Sequence, residues 1–290
     1  MEVILAKKAG FCFGVQKAID LVYDKANSSS NNIYTYGPII HNEEVVSDLE
    51  SKGVKAINFD ENELNDLSDC TVVIRSHGVG KRIYDSLAQK NCEVVDATCP
   101  FVKKIHNIVK EESEKGRTII IVGSEYHPEV EGIKGWVNGD AFIVDNEEDA
   151  RSLNLNPKTP VCIVSQTTYN PEKFSKLVEI IGEKGYDSNV VNTICNATNE
   201  RQTEAKDIAK KVDAMIVIGG KNSSNTQKLY EICKVECENT FYIQTAKDID
   251  FEMLKDFKKI GITAGASTPK NIIEEVHTKC QRWTTNLNKC

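Results

Sequence analysis

The sequence predicts an α/β protein, a trefoil of three pseudo-symmetric α/β lobes with small, mainly parallel sheets around a central cavity. Three observations predict it. Apolar, β-branched runs alternate with helix-like segments along the whole chain. A pattern of strand, cysteine and helix occurs three times, ending at Cys12, Cys99 and Cys195. Each copy is then followed by the same succession of further strands, polar clusters and helices. Near-continuous apolar strands separated by helices indicate parallel sheets with both faces covered, and a fixed internal period indicates repeated units.

The elements follow in order. V-I-L-A-K-K-A-G-F leads to Cys12, C-E-V-V-D-A-T to Cys99 and S-N-V-V-N-T-I to Cys195. A helical pattern follows each cysteine; Pro100 suits the first position of the second helix, and Thr198 or Asn199 is the expected cap of the third. Next comes a strand (N-I-Y-T-Y, R-T-I-I-I-V-G, D-A-M-I-V-I-G-G) that runs into a polar cluster. These clusters are His41-Asn42-Glu43, His127-Pro128-Glu129 and Ser223-Ser224-Asn225. After a second helix and a short strand, a further strand (C-T-V-V-I-R, V-C-I-V-S, K-K-I-G-I-T) leads to Ser76-His77-Gly78, Gln166-Thr167-Thr168 and Ala266-Ser267-Thr268. The expected lobes are residues 1–96, with the N-terminal strand and the Cys12 loop included, 97–193 and 194–290.

Ligands of open parallel sheets sit beyond the C-terminal ends of the strands, where all the cysteines and polar clusters of the repeat fall. Composition narrows the chemistry. With 290 residues, 40% of them hydrophobic, the chain can bury sizeable cores, and a net charge of −7 argues against a nucleic-acid-binding surface. No apolar run reaches the roughly 20 residues of a membrane helix, and the N-terminus lacks the pattern of a signal peptide. A cytoplasmic protein is therefore expected. Its ten cysteines include no C-x-x-C, so any metal site is assembled from distant parts of the chain. Most of the ten are expected to be small buried hydrophobes, Cys233 and Cys237 among them.

Three thiolates without a fourth ligand suit either zinc with an open position or a cubane iron–sulfur cluster with one iron free. The glycines beside Cys12 would allow close backbone approach to inorganic sulfide. His41, His77, Ser223, Asn225 and Ser267 are short donors of the kind that hold phosphate or diphosphate. Glu129, just after a strand that reads as buried, is the acid–base candidate, because desolvation raises a carboxyl pKa. Thr167 or Thr168 could relay its proton or bind a substrate hydroxyl. Three readings stand at this level: an enzyme whose iron–sulfur cluster binds substrate at a free iron and passes it electrons, a zinc hydrolase with Glu129 as base, and a non-catalytic anion-binding or redox-sensing protein.

The motifs A-G-F-C-F-G-V, Y-G-P-I-I-H-N, I-R-S-H-G-V, D-A-T-C-P-F-V, G-S-E-Y-H-P-E-V, S-Q-T-T, N-T-I-C-N-A-T, G-G-K-N-S-S-N-T and T-A-G-A-S-T-P, in this order, resemble the LytB (IspH) family of 4-hydroxy-3-methylbut-2-enyl diphosphate reductases. They cover nearly all of residues 1 to about 283. The resemblance implies one 4Fe–4S cluster held by Cys12, Cys99 and Cys195, its fourth iron open to substrate. It implies a two-electron, two-proton reductive dehydroxylation to isopentenyl and dimethylallyl diphosphates, the last step of the methylerythritol phosphate route to isoprenoids. Glu129, Thr167 and His127 would be catalytic. His41, His77, His127, Thr167, Thr168, Ser223, Ser224, Asn225 and Ser267 would bind substrate. A ferredoxin- or flavodoxin-type electron donor is implied; neither nucleic acid nor membrane is expected as a partner, and the protein is expected to be a monomer. Some members carry a C-terminal RNA-binding extension.

Overall fold

In a computed structural model, residues 2–29, 31–57 and 67–287 are described, with the side chains of 284–287 left aside. Cys290 lies outside the described residues. The chain begins with β1 (Glu2–Leu5), α1 (Phe13–Ser28), β2 (Asn32–Tyr36), α2 (Glu43–Ser51), β3 (Val54–Ile57), β4 (Cys70–Ile74), α3 (Lys81–Ala88) and β5 (Cys92–Asp96). It continues through α4 (Pro100–Glu114), β6 (Thr118–Val122), α5 (Pro128–Lys134), β7 (Ala141–Val144), α6 (Glu147–Ser152), β8 (Pro160–Ser165), α7 (Pro171–Gly182) and β9 (Asp187–Val190). Last come α8 (Asn196–Ala209), β10 (Ala214–Ile218), α9 (Ser224–Glu236), β11 (Thr240–Ile243), β12 (Lys259–Ala264) and α10 (Lys270–Leu287).

The chain forms two compact units. One comprises Gln16–Ile40 and Val46–Cys195 and contains two four-stranded sheets, ordered β3-β2-β4-β5 and β7-β6-β8-β9. The other comprises Met1–Val15, His41–Val45 and Asn196–Cys290, with one sheet ordered β1-β12-β10-β11. Every strand pairing in the three sheets is parallel. The α/β class and the small parallel sheets are thus as the sequence predicts.

The three sheets share one strand order, and the strand that leads to a cysteine is always at an edge: β5 before Cys99, β9 before Cys195, β1 before Cys12. One sequence boundary is corrected by this order. The N-terminal strand does not pair with its neighbours in 1–96; Glu2–Leu5 pair with Lys259–Ile262 of β12. β1 thereby takes, in the third sheet, the edge position that β5 and β9 hold in the other two.

The central strands are buried on both faces, which is why they read as unbroken apolar runs: β4, β10 and nearly all of β6 are inaccessible, whereas the edge strands β5 and β9 have no fully buried residue. Separate cores lie on the two faces of the sheets, for example Ile120, Val122, Ile163 and Leu177 on one side of β6 and β8, and Ile119, Ile121, Val164 and Ile105 on the other. Helix starts are specified locally. Pro100, Pro128 and Pro171 occupy first turns, Asn170 accepts from the Lys173 amide, and Asn146 with Asp149 forms a capping box. One start differs from expectation: α8 begins at Asn196, directly after Cys195, so Thr198 and Asn199 lie inside its first turn rather than capping it. Among the described residues, no helix is long and apolar enough to cross a membrane.

Candidate active site

In the larger unit, sequence-predicted site residues gather at the C-terminal ends of β4, β6 and β8 and at the turns after β5 and β9. Cys99 is the N-terminal flank of α4 and gives its amide to the Ser76 carbonyl at 3.0 Å. Cys195 immediately precedes α8 and gives its amide to the Thr167 carbonyl at 3.0 Å. Both thiols are partly exposed.

His77 and His127 stack edge-on, their ring centroids 5.5 Å apart. His127 caps α5: its Nδ1 accepts from the Glu129 amide at 3.1 Å. That bond leaves the proton of a neutral imidazole on Nε2. Glu129 is 2% exposed. Its Oε1 accepts from the Thr167 amide at 2.6 Å and its Oε2 from the Thr167 hydroxyl at 2.8 Å. Burial pushes its carboxyl up to about 7, against the opposing pull of the two Thr167 bonds. A line of hydrogen bonds therefore runs from a titratable carboxyl through Thr167 to the backbone of Cys195. Thr168 lies half-buried in the same turn.

The helix that bears Glu129 is fastened to the loop that bears His77. An added Cβ on Gly80 would lie 2.9 Å from the Gly135 Cα, and Trp136 donates its indole proton to the Val79 carbonyl at 2.8 Å. Trp136 also stacks on His106, at 5.4 Å between centroids. His106 lies beside Gly78, where φ is +70° and an added Cβ would fall 2.6 Å from the His106 ring, so a side chain is excluded. Burial lowers the His106 pKa to about 4, so the ring is neutral and packs as an aromatic. Sequence reasoning passed over His106 because a single histidine in an amphipathic helix carries no distinguishing pattern.

The smaller unit holds the remaining residues. Cys12 precedes α1, is partly exposed, and gives its amide to the Ala266 carbonyl at 3.3 Å. Ser223 caps α9 and accepts from the Thr226 amide and hydroxyl. The Ser267 hydroxyl reaches both Ser223 Oγ, at 3.2 Å, and the His41 carbonyl, at 3.1 Å. Asn225 accepts the Ala266 amide through Oδ1 at 2.9 Å, while its Nδ2 is buried with no partner. Ser224 is the first residue of α9. A buried, unused amide donor at a helix N-terminus fits an anion. Gly265 is required here by space: a Cβ on it would meet the Thr226 hydroxyl at 2.0 Å.

The glycine beside Cys12 has a local explanation that the sequence did not offer. Gly10 adopts φ +97°, and a Cβ there would meet Ile273 of α10 at 2.9 Å. The turn before Cys12 is also clamped from α8. Glu204 accepts the Lys7 and Lys8 amides at 2.9 and 2.8 Å, and Arg201 donates to the Lys8 and Ala264 carbonyls. Within the polar run E-R-Q-T-E, Arg201 and Gln202 are buried, at 3% and 4% exposed. Glu204→Ala should cost about 2 kcal/mol, since two amide bonds to a carboxylate are lost. Anaerobic chemical unfolding against the parent protein checks this.

The fold and the site together define a class: an α/β enzyme whose thiols stand at strand-to-helix turns, accompanied by a buried acid and by a helix start with a buried, unused amide donor. Comparison with known proteins gives the family. Residues 3–281 match the family model of the LytB protein, and the chain belongs to that family. Among its relatives is the 4-hydroxy-3-methylbut-2-enyl diphosphate reductase of Caldanaerobacter subterraneus, 50% identical over 280 residues and 96% of each chain. The enzyme of the same name from Clostridioides difficile is 45% identical over 96% of this chain and 98% of its own. The Clostridium acetobutylicum relative is longer, and the match spans 43% of it. Two solved structures are similar. One is the (E)-4-hydroxy-3-methyl-but-2-enyl diphosphate reductase described as the terminal enzyme of the non-mevalonate pathway, 41% identical, with a TM-score of 0.70 over 97% of this chain and 100% of that one. The other is the Plasmodium falciparum reductase, 30% identical, with a TM-score of 0.90 over 96% and 87%.

Proposed function

We propose that this chain reduces 4-hydroxy-3-methylbut-2-enyl diphosphate, with two electrons and two protons, to isopentenyl and dimethylallyl diphosphates. The observation that carries the reading is the Glu129–Thr167–Cys195 line. A buried carboxyl titrating near 7 is joined through one threonine to a cysteine at a helix start. The zinc-hydrolase and sensor readings lose ground to family membership.

The donor set fits an iron–sulfur cluster. Cys12, Cys99 and Cys195 are partly exposed, each directly before a helix, whereas Cys162, Cys233 and Cys280 are closed inside cores. We assign Cys12, Cys99 and Cys195 as ligands of one 4Fe–4S cluster whose fourth iron has no protein ligand. When bound, the cluster supplies electrons and a Lewis-acid position for the substrate hydroxyl. The remaining work belongs to the protein. Glu129 is held about half-protonated near neutral pH and acts as the proton reservoir. The Thr167 hydroxyl, bonded to its Oε2, passes a proton outward as it takes one from the carboxyl. His127, fixed with its proton on Nε2, presents a donor, and His77 lies against its ring.

Ser223, Ser224, Asn225 and Ser267, with His41 and His77, bind the diphosphate. The Asn225 Nδ2 is the clearest case, as a donor already desolvated and without a partner. Asn225→Asp keeps the acceptor for Ala266 but replaces that donor with a negative charge. It should raise KM tenfold or more while kcat changes less, because the lost bond serves substrate and transition state alike. Steady-state kinetics separates the two. The electron donor belongs to the ferredoxin or flavodoxin class.

The whole reading is tested by anaerobic purification and assay. A brown protein that converts the hydroxylated diphosphate to the two products with a reduced one-electron dye is expected. A colourless, zinc-loaded protein without that activity would overturn the reading.

A further inference from the structure

Cys70 and Cys92 stand apart from the catalytic residues. They are the first residues of β4 and β5 and are direct register partners in the parallel sheet. Their sulfur atoms are 2.9 Å apart. We propose that they form a redox pair that closes a reversible disulfide by exchange with low-molecular-weight disulfides such as oxidised glutathione.

The backbone already meets the demands of the bond. Adjacent strands run roughly 4.8 Å apart, inside the Cα separation of about 4.4–6.8 Å that a disulfide spans. Register partners also project to the same face of the sheet. The residues just before the pair hold the strand ends together: the Asp69 amide donates to the Asn91 carbonyl at 2.9 Å, and Asn91 Nδ2 to Asp69 Oδ1 at 2.6 Å. No chain segment has to move for the sulfurs to bond.

Accessibility orders the steps. Cys92 is partly exposed and Cys70 is 2% exposed. The Cys92 thiolate attacks the external disulfide, forming a mixed disulfide and releasing one thiolate. The Cys70 sulfur, having lost its proton to solvent, attacks the Cys92 sulfur and expels the second thiolate. In net terms two protein thiols and one external disulfide become one protein disulfide and two external thiols; the pair loses two electrons and the reagent gains them. The Cys70 thiol is pushed up to about 12, chiefly by burial and then by the Cys92 contact, which slows the second step. Cys162, Cys233 and Cys280, at 0%, 0% and 1% exposure, are closed to the reagent.

The pair lies at the N-terminal ends of strands whose C-terminal ends lead to His77 and Cys99. Four residue steps, about 13 Å of strand, separate the two ends. Closing the bond therefore staples the sheet at its base and leaves the catalytic turns in place.

The test uses the anaerobically purified, cluster-loaded protein. It is incubated with oxidised glutathione, unfolded in the presence of an alkylating agent and digested with trypsin. The peptide that carries Cys70 should be found joined to the one that carries Cys92, lighter by two hydrogens, and released by reductant. Cys70→Ser should instead accumulate glutathione on Cys92, and Cys92→Ser should form no link while keeping reductase activity. Wild-type protein with stable glutathione on Cys92 and an alkylated Cys70, or with both thiols alkylated, would overturn the proposal.

Discussion

Glu129→Gln is expected to lower turnover by roughly two to four orders of magnitude, the range general acid catalysis supplies, while the visible spectrum of the cluster is unchanged. Gln replaces the carboxyl with a group of the same shape. Its carbonyl can still accept one of the two Thr167 bonds, so the turn before Cys195 is kept, but it has no proton to give. The pH dependence should change as well. In the parent protein the acid form of Glu129 is the donor, so kcat should fall as pH rises through about 7. The residual activity of the variant should lack that limb. Near-parental turnover with the same pH profile would remove Glu129 from the mechanism.

The same carboxyl makes a stability statement with a definite sign. Its folded pKa of about 7 lies above the ordinary 4.5, so between these values the folded state binds the extra proton. Stability from this group is fully present below pH 4.5 and is lost as pH rises to 7, by about 3 kcal/mol in all. Denaturant unfolding at pH 5 and pH 8 should show a steeper decline for the parent than for Glu129→Gln. A buried acid that costs stability at neutral pH is what a proton reservoir needs and what a structural carboxyl would avoid.

How far the sequence discloses this molecule depends on how local each feature is. The buried strands β4, β6 and β10 announce themselves as β-branched runs, and Pro100 and Pro128 mark helix starts, because those signals lie within a few residues of what they specify. The threefold repetition makes the cysteine turns legible as equivalent positions. What stays hidden is joined across the chain. The pairing of β1 with β12 spans nearly its whole length, so no local period reveals it. The Arg201 and Glu204 clamp on the Lys7–Lys8 turn looks like an ordinary charged helix face until the fold places it. The Cys70–Cys92 juxtaposition depends on register, which a one-residue slip would destroy. Within the site, Glu129 and Thr167 were each legible as strand-end residues, but their double hydrogen bond, which fixes the carboxyl on the turn before Cys195, required the geometry.

Cys12→Ser, Cys99→Ser and Cys195→Ser should each cost the protein its cluster absorbance and reduce turnover to background, whereas Cys233→Ser should leave both near parental levels. The contrast rests on surroundings. Each of the three proposed ligands sits directly before a helix with its sulfur partly exposed and its amide tied to a neighbouring strand-end carbonyl. A serine hydroxyl is a hard oxygen donor and cannot replace a soft sulfur ligand. Cys233 is 0% exposed among Ala205, Met215 and Leu229, and burial pushes its thiol up to about 12. It is neutral, inert and closed off. Serine there buries a hydroxyl and should cost about 1–3 kcal/mol of stability, a loss visible on unfolding but not in the spectrum. Iron and sulfide analysis of the four variants, purified side by side without oxygen, separates a ligand from a core residue. Equal cluster loss in all four would mean that the thiols act through folding alone, and the ligand assignment would fall.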